Sequence, residues 1–167
     1  MVNPMKSSWS EREKETASLE DYLKVILELS DPDFRVRVTA ISEEMNIKKP
    51  SVTSAVSRLK EKGFVEHQSY GPVILTKKGQ QLAEEVKERH EVLFRFFTEI
   101  LEVNEARAEE DACQIEHYVS EKTLEKISKF VDFLISCPHD RAIVLENFKQ
   151  YVSEGTRNEE MLGCCGD

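Results

Sequence analysis

KKPSVTSAVSRLKEKGFV, from Lys48 to Val65, reads as one short helix followed by a stop. Val52, Ala55, Val56 and Leu59 recur at helical spacing, which lines four apolar side chains along one face. Pro50 suits the first turn, where its missing N–H costs nothing, and Gly63 can take the left-handed conformation that ends a helix. The spacing predicts a helix from Pro50 to about Lys62. Its outer side carries Ser51, Thr53, Ser54, Ser57, Arg58 and Lys60. Small hydroxyls permit close approach to base edges, while Lys48, Lys49 and Arg58 can hold a phosphate backbone.

Upstream, Val38, Ile41 and Met45 share a face, so a second short helix precedes a tight turn at Asn46-Ile47-Lys48. Two such helices form a helix-turn-helix. Further upstream SLEDYLKVILEL, residues 18–29, places Leu19, Tyr22, Leu23, Ile26 and Leu27 at helical spacing, with Ser18 as N-cap and Asp31-Pro32-Asp33 as terminator. Downstream the pattern becomes extended at Phe64–His67, turns at Gly71-Pro72 and resumes at Val73–Leu75, a small hairpin or wing. Thr76 then caps a long helix bearing Leu82, Val86, Leu93, Phe96, Phe97 and Ile100. A break at Val103-Asn104 leads to a helix from Glu105 to Tyr118. The next helix, Glu121 to Ile135, turns Leu124, Ile127, Phe130, Val131 and Leu134 inward and is closed by Pro138. A last amphipathic segment spans Arg141–Val152. The fold class is therefore mainly α: a winged helix-turn-helix over residues 1–78, a helical region over 79–153 and a flexible tail over 154–167.

Charge follows this division. The chain of 167 residues has a net charge of −9, which by itself disfavours nucleic acid. Between Phe34 and Lys78, however, nine basic residues face four acidic ones, a local charge of +5 that leaves −14 to the remainder. Screening over roughly 10 Å makes the local patch count for more than the total. No apolar run approaches membrane-spanning length, and the charged start lacks the apolar stretch of a signal peptide, so the expected compartment is the cytoplasm. Four cysteines, Cys113, Cys137, Cys164 and Cys165, lie too close to one end for a secreted disulfide framework. No phosphate loop or nucleophile–base pair suggests an enzyme or a small-molecule substrate.

Cys113-Gln114-Ile115-Glu116-His117 places a thiol, a carboxylate and an imidazole at i, i+3 and i+4, on one face if the segment is helical. Those are ligands for a divalent transition metal. His90, on the preceding long helix, can join them if the two helices run antiparallel. A plainer alternative makes Cys113 a small core residue and Glu116 and His117 a solvated edge. Likewise Asp21, three residues after Ser18, can complete a capping box.

Taken in order, SLEDYLKVILEL, KKPSVTSAVSRLKEKGFV, GPVILTKKG, RHEVLFRFF and ACQIEH resemble the diphtheria-toxin-repressor-like family of iron- and manganese-dependent regulators, across about Ser18 to Ile135. The resemblance implies a homodimer that binds palindromic operator DNA when loaded with metal, typically repressing metal-uptake genes, with residues 79–153 serving dimerisation and metal sensing. It implies Asp21, His90, Cys113, Glu116 and His117 as ligands, beside the DNA-binding set Lys48, Lys49, Pro50, Ser51, Thr53, Ser54 and Arg58 read from the helix itself. Asp21 is the manganese-type choice at its position and Cys113 the iron-type choice, so the site is a hybrid. Lys24 replaces a second first-helix carboxylate, while Phe94 and Glu109 replace the ancillary glutamate and histidine of iron-type members. Ligand softness favours Fe(II) over Mn(II), with Zn(II) or Co(II) able to bind in vitro. A winged-helix regulator of a non-metal signal is the alternative.

Overall fold

The computed structural model describes residues 11–136 and 138–155, with side chains described except at 11–18 and 138–142. Cys137, Cys164, Cys165, the His139 side chain and residues 156–167 of the expected tail lie outside that description. The chain divides into two compact units between Arg89 and His90. Among the described residues no helix is long and apolar enough to cross a membrane.

The first unit opens with α1, Glu11–Leu29. Leu19, Tyr22, Leu23 and Ile26 are buried on it, as the spacing predicts. The helix begins well before Ser18, which is thus an interior residue and not an N-cap. The capping-box reading of Asp21 falls with it, because a capping box needs an exposed first turn. The helix-turn-helix follows as α2, Val38–Glu44, and α3, Lys49–Glu61. Asn46 makes the turn between them at φ +51°, in the left-handed region that asparagine tolerates better than most residues. Val52, Ala55, Val56 and Leu59 of α3 all pack into one core with Ile41 of α2 and the four apolar residues of α1. Each fully buried aliphatic side chain there contributes roughly 1.5–3 kcal/mol.

Three strands close this unit: β1, Arg35–Val36; β2, Val65–His67; and β3, Val73–Leu75. They form an antiparallel sheet in the order β1-β3-β2, with Val36 opposite Val73 and Val65 opposite Leu75. Those four side chains all point into the core. The hairpin β2–β3 is the expected wing, whereas β1 is an addition, a strand too short to show any alternation. Gly63, at φ +76°, ends α3 as expected. Thr76 joins strand to helix: its hydroxyl accepts from the Gly79 N–H at 3.1 Å and donates to the Gly63 carbonyl at 2.8 Å.

Tyr22 gives this core a pH signature. Burial, then the neighbouring negative charge of Asp21, raises its hydroxyl above the ordinary tyrosine value. A raised folded-state value means that the neutral phenol is favoured on folding. Its contribution is complete below about pH 10 and lost as pH climbs through the raised value. Alkaline denaturation followed by circular dichroism should therefore show a loss of stability above about pH 10 that Tyr22→Phe makes shallower. Identical slopes would refute the assignment.

The long helix α4, Lys77–Arg95, contains the division between units. Its continuation, Phe96–Ile100, is a π-helical turn, with the Leu101 N–H bonded to the Phe96 carbonyl five residues back. Asn104 caps α5, Glu105–Ile115, by accepting from the Arg107 N–H at 3.0 Å. Helix α5 ends three residues earlier than the spacing predicts. The helices α6, Glu121–Ser136, and α7, Pro138–Glu154, complete the described chain. Pro138 opens α7 instead of merely closing α6, in keeping with its tolerance for the first helical position. Within this unit Leu93, Ala112 and Leu124 form one buried cluster, and Ile100, Val131 and Leu134 another. Phe130, expected inward, is exposed together with Phe133. The apolar stripe of α6 is wider than the core it covers.

Candidate metal centre and nucleic-acid interface

Glu116 is the most informative side chain in the second unit. It is the C-cap residue of α5, fully buried, on a chain that keeps a helical backbone there without continuing the helix. Burying a carboxylate alone costs several kcal/mol, so it must find compensation. One oxygen, Oε2, lies 2.6 Å from His90 Nδ1, and the other, Oε1, lies 3.6 Å from His117 Nε2. A carboxylate between two imidazoles, shielded from water, is a donor set suited to a borderline divalent cation.

The expected ligands of this unit are thus partly assembled, though not by the expected route. Cys113 sits on the last turn of α5, half-buried and in no disulfide. Glu116 and His117 occupy the turn that follows, closed by the Tyr118 N–H bonding to the Ile115 carbonyl at 2.9 Å. The continuous helical face through all three residues is therefore not what the chain adopts. The Glu116 N–H still bonds back to Ala112, which preserves the i, i+3 relation between Cys113 and Glu116. His90 lies on α4 with its side chain 13% exposed, stacked on Phe94. Asp21, in the first unit, is half-buried on α1 next to Tyr22.

Sequence reading missed the role of Glu109. Its carboxylate meets His90 Nε2 at 3.0 Å, so the imidazole is gripped at both nitrogens, by Glu109 outside and Glu116 inside. Spacing offered a signal: Glu109 is four residues before Cys113, on the same side of α5. A second carboxylate on the far nitrogen orients a ligand imidazole and sets its tautomer.

The DNA-facing candidates gather in the first unit. Lys48, Lys49, Pro50, Ser51, Thr53 and Ser54 are all exposed around the start of α3. Lys48 is the N-cap, without a side-chain hydrogen bond to the helix, and no acidic residue stands in the first turn. Two lysines at the positive end of a helix dipole oppose it, a cost that an anion there would reverse. The Thr53 hydroxyl donates to the Lys49 carbonyl at 2.9 Å and Ser57 to Thr53 at 3.0 Å, which leaves their oxygens as acceptors. Arg58 departs from expectation: it is half-buried and lines a small cleft with Leu19, Tyr22 and Ser54.

Some of the basic residues counted in this segment also have structural partners. Lys60 donates to the His67 carbonyl at 2.9 Å, tying α3 to the wing, and Lys78 donates to the Lys62 carbonyl at 3.1 Å over the ring of Phe64. Arg35 is clamped by Asp31 and Asp33. These three cations brace the fold, and the exposed basic residues of the segment beside them are Arg37, Lys48, Lys49, Lys62 and Lys77.

Comparison with known proteins agrees with both halves. The family model "Iron dependent repressor, N-terminal DNA binding domain" matches residues 14–73, and "Iron dependent repressor, metal binding and dimerisation domain" matches residues 76–145. An uncharacterized HTH-type transcriptional regulator of Methanocaldococcus jannaschii is 31% identical over 116 residues, 69% of this chain and 93% of that protein. The HTH-type transcriptional regulator MntR of Oceanobacillus iheyensis is 33% identical over 118 residues, 71% of this chain and 80% of its own length. Among solved structures the manganese regulator SloR is similar with a TM-score of 0.62 at 33% identity, over 69% of this chain but only 54% of SloR. The match therefore spans about half the length of that structure. With the DNA-binding and the metal-binding and dimerisation domains both matched in order, the chain belongs to the iron-dependent repressor family, whose members are metal-dependent transcriptional regulators and not enzymes.

Proposed function

We propose that this chain is a homodimeric, cytoplasmic repressor of metal-uptake genes that binds palindromic operator DNA when loaded with Fe(II) or Mn(II). The observation that carries the metal half is the buried Glu116 carboxylate between His90 and His117. In this reading Asp21, His90, Cys113, Glu116 and His117 hold the ion. The bound cation supplies the positive charge that keeps a thiolate and two carboxylates together. Glu109 orients His90, and Asp21 commits α1, the helix packed on α2 and α3, to the metal-bound arrangement. A dimer presents two copies of α3 to half-sites about one turn, roughly 34 Å, apart. Lys48 and Lys49 hold phosphates while Pro50, Ser51, Thr53 and Ser54 approach bases and Arg58 supports that surface from its cleft.

Cys113 argues for Fe(II) over Mn(II), since a thiolate suits the softer ion, while the carboxylates suit either. SloR, by contrast, is a manganese regulator, so the two ions must be compared directly. The deciding experiment titrates Fe(II) without oxygen, Mn(II) and Zn(II) into a DNA-binding assay on duplexes recovered from a random library. Tighter binding with metal is expected, most of all with Fe(II). Binding that no metal changes would instead favour a regulator of a non-metal signal.

For the dimer, the support is a set of exposed apolar side chains: Phe130 and Phe133 on α6, within the matched dimerisation region, and Phe148 and Tyr151 on α7, just beyond it. A second copy would cover them, and aromatic residues are typical of such interfaces. Phe133→Glu should shift the chain toward monomer in sedimentation, weakening association by about tenfold or more. An unchanged dimer would place the interface elsewhere.

A further inference from the structure

Two carboxylates hold His90 by its edge: Glu116 Oε2 lies 2.6 Å from Nδ1, and Glu109 Oε2 lies 3.0 Å from Nε2. Those contacts fix where the two nitrogens lie. They leave the ring able to rock about the line that joins the nitrogens, a soft motion because the terminal torsion of histidine is broad. Rocking matters to a ligand, since the lone pair of an imidazole nitrogen lies in the ring plane and a tilted ring aims it away from the ion. Phe94 supplies the missing restraint. It stands four residues on from His90, on the same face of α4, and its ring is almost parallel to the imidazole, with 13° between the planes and 6.2 Å between centroids. At that separation two nearly parallel rings are stacked with an offset, a favoured arrangement. The Phe94 side is itself anchored: the side chain packs against the buried cluster of Leu93, Ala112 and Leu124, and the Phe94 carbonyl accepts from the Thr98 hydroxyl at 2.8 Å. The imidazole, its side chain only 13% exposed, thus has a carboxylate at each nitrogen and a flat apolar ring against one face.

We infer that Phe94 is a positioning residue of the metal centre, whose ring sets the plane of His90 and so keeps the Nδ1 lone pair aimed to the side on which Glu116 lies. The inference rests on the metal-binding reading above and adds to it a residue that donates nothing to the ion. A ligand set works only when packing locks its members to within about 10–20° of the productive orientation. Glu109 and Glu116 restrain His90 in its plane, and Phe94 restrains the plane itself. Leucine or methionine in place of Phe94 can fill the space against Leu93, Ala112 and Leu124 but gives the imidazole no flat surface to lie on. Phe97 separates packing from positioning: it packs against the same cluster, and its ring contact is with Phe96.

The test uses the full-length chain, titrated with Mn(II) by calorimetry and with Co(II) by visible absorption, whose bands report the geometry of the ligands. Phe94→Leu should bind Mn(II) about tenfold more weakly, the scale expected of a residue that orients a ligand, and should shift or weaken the Co(II) bands. Phe94→Tyr keeps a flat ring and should keep the wild-type affinity and spectrum. Phe97→Leu is the same substitution in the same cluster, so it should lower the melting temperature to a similar extent while leaving both metal readouts unchanged. If Phe94→Leu does not fold, Phe94→Met makes the same comparison. Wild-type affinity and spectrum in a folded Phe94→Leu chain overturn the inference, and so does a loss in Phe97→Leu or Phe94→Tyr as large as that in Phe94→Leu. In either case the wild-type titration leaves the ligand assignment intact. A wild-type chain that binds neither ion overturns that assignment as well.

Discussion

Glu116→Ala is expected to weaken divalent-metal affinity by about 100-fold or more and with it to abolish metal-dependent DNA binding, since even residues that only orient a ligand are worth 10–100-fold. Two losses coincide in this change. One donor oxygen disappears, and His90 loses the carboxylate that lies 2.6 Å from its Nδ1. His117 loses the group 3.6 Å from its Nε2 as well. Glu116→Gln keeps the volume and removes the charge, so its affinity should fall between those of wild type and Glu116→Ala. Calorimetric titration with Mn(II), which tolerates air, reads the affinity, and circular dichroism of the metal-free chains checks that both variants fold. A folded Glu116→Ala chain with wild-type affinity would remove Glu116 from the ligand set and, with it, the main support for a metal centre in this unit.

Gly79→Ala should be the most damaging substitution of a single hydrogen by a methyl group in the first unit. A β-carbon at this position would stand 2.0 Å from the Phe64 carbonyl oxygen and 2.9 Å from its carbon, both backbone atoms that cannot swing aside. The start of α4 would have to lift from the strand region, breaking the 3.1 Å bond from the Gly79 N–H to Thr76 that caps the helix. Overpacking of this kind costs roughly 3 kcal/mol or more, which in a chain of this size lowers the melting temperature by about 10 °C. Gly63→Ala is the instructive contrast. Nothing lies within 4 Å of its β-carbon position, so only its left-handed backbone, at φ +76°, is penalised. That strain is worth about 1–2 kcal/mol. Thermal denaturation of the two variants side by side should therefore rank Gly79→Ala well below Gly63→Ala, and the reverse order would contradict the packing described at the strand–helix junction.

Much of the first unit was legible because its signals are local and redundant. The burial of Val52, Ala55, Val56 and Leu59 follows from their spacing, and Pro50, Gly63 and Thr76 mark ends by backbone chemistry that holds in almost any context. What escaped was set by tertiary packing or by the absence of pattern. β1 has two residues, too few for alternation, and is held by pairing with β3. The polar first turns of α1 carry no apolar period, which is why Ser18 looked like a beginning. Phe130 obeys the helical period of α6 and is nevertheless exposed, because periodicity reports which side of a helix is apolar and not how much of that side the chain itself covers. In the candidate site, residue types and spacing singled out Cys113, Glu116 and His117. They gave no hint that α5 stops at Ile115 and that a turn carries the last two, since the apolar period runs on regardless.

The π-helical turn at Phe96–Ile100 has a further consequence for how the second unit can vary. Each residue of wider winding delays the rotation of the chain around the helix axis relative to α-helical winding. The turn therefore sets a phase lag between His90 and Leu93 on one side and Ile100, which seals the cluster with Val131 and Leu134, on the other. Removing one residue within it would restore ordinary winding and leave the residues beyond close to their present phase, since five π-wound residues turn the chain about as far as four α-wound ones. A one-residue deletion at this point is therefore absorbed with little disturbance to the cluster of Ile100, Val131 and Leu134 or to the imidazole that Glu109 and Glu116 hold.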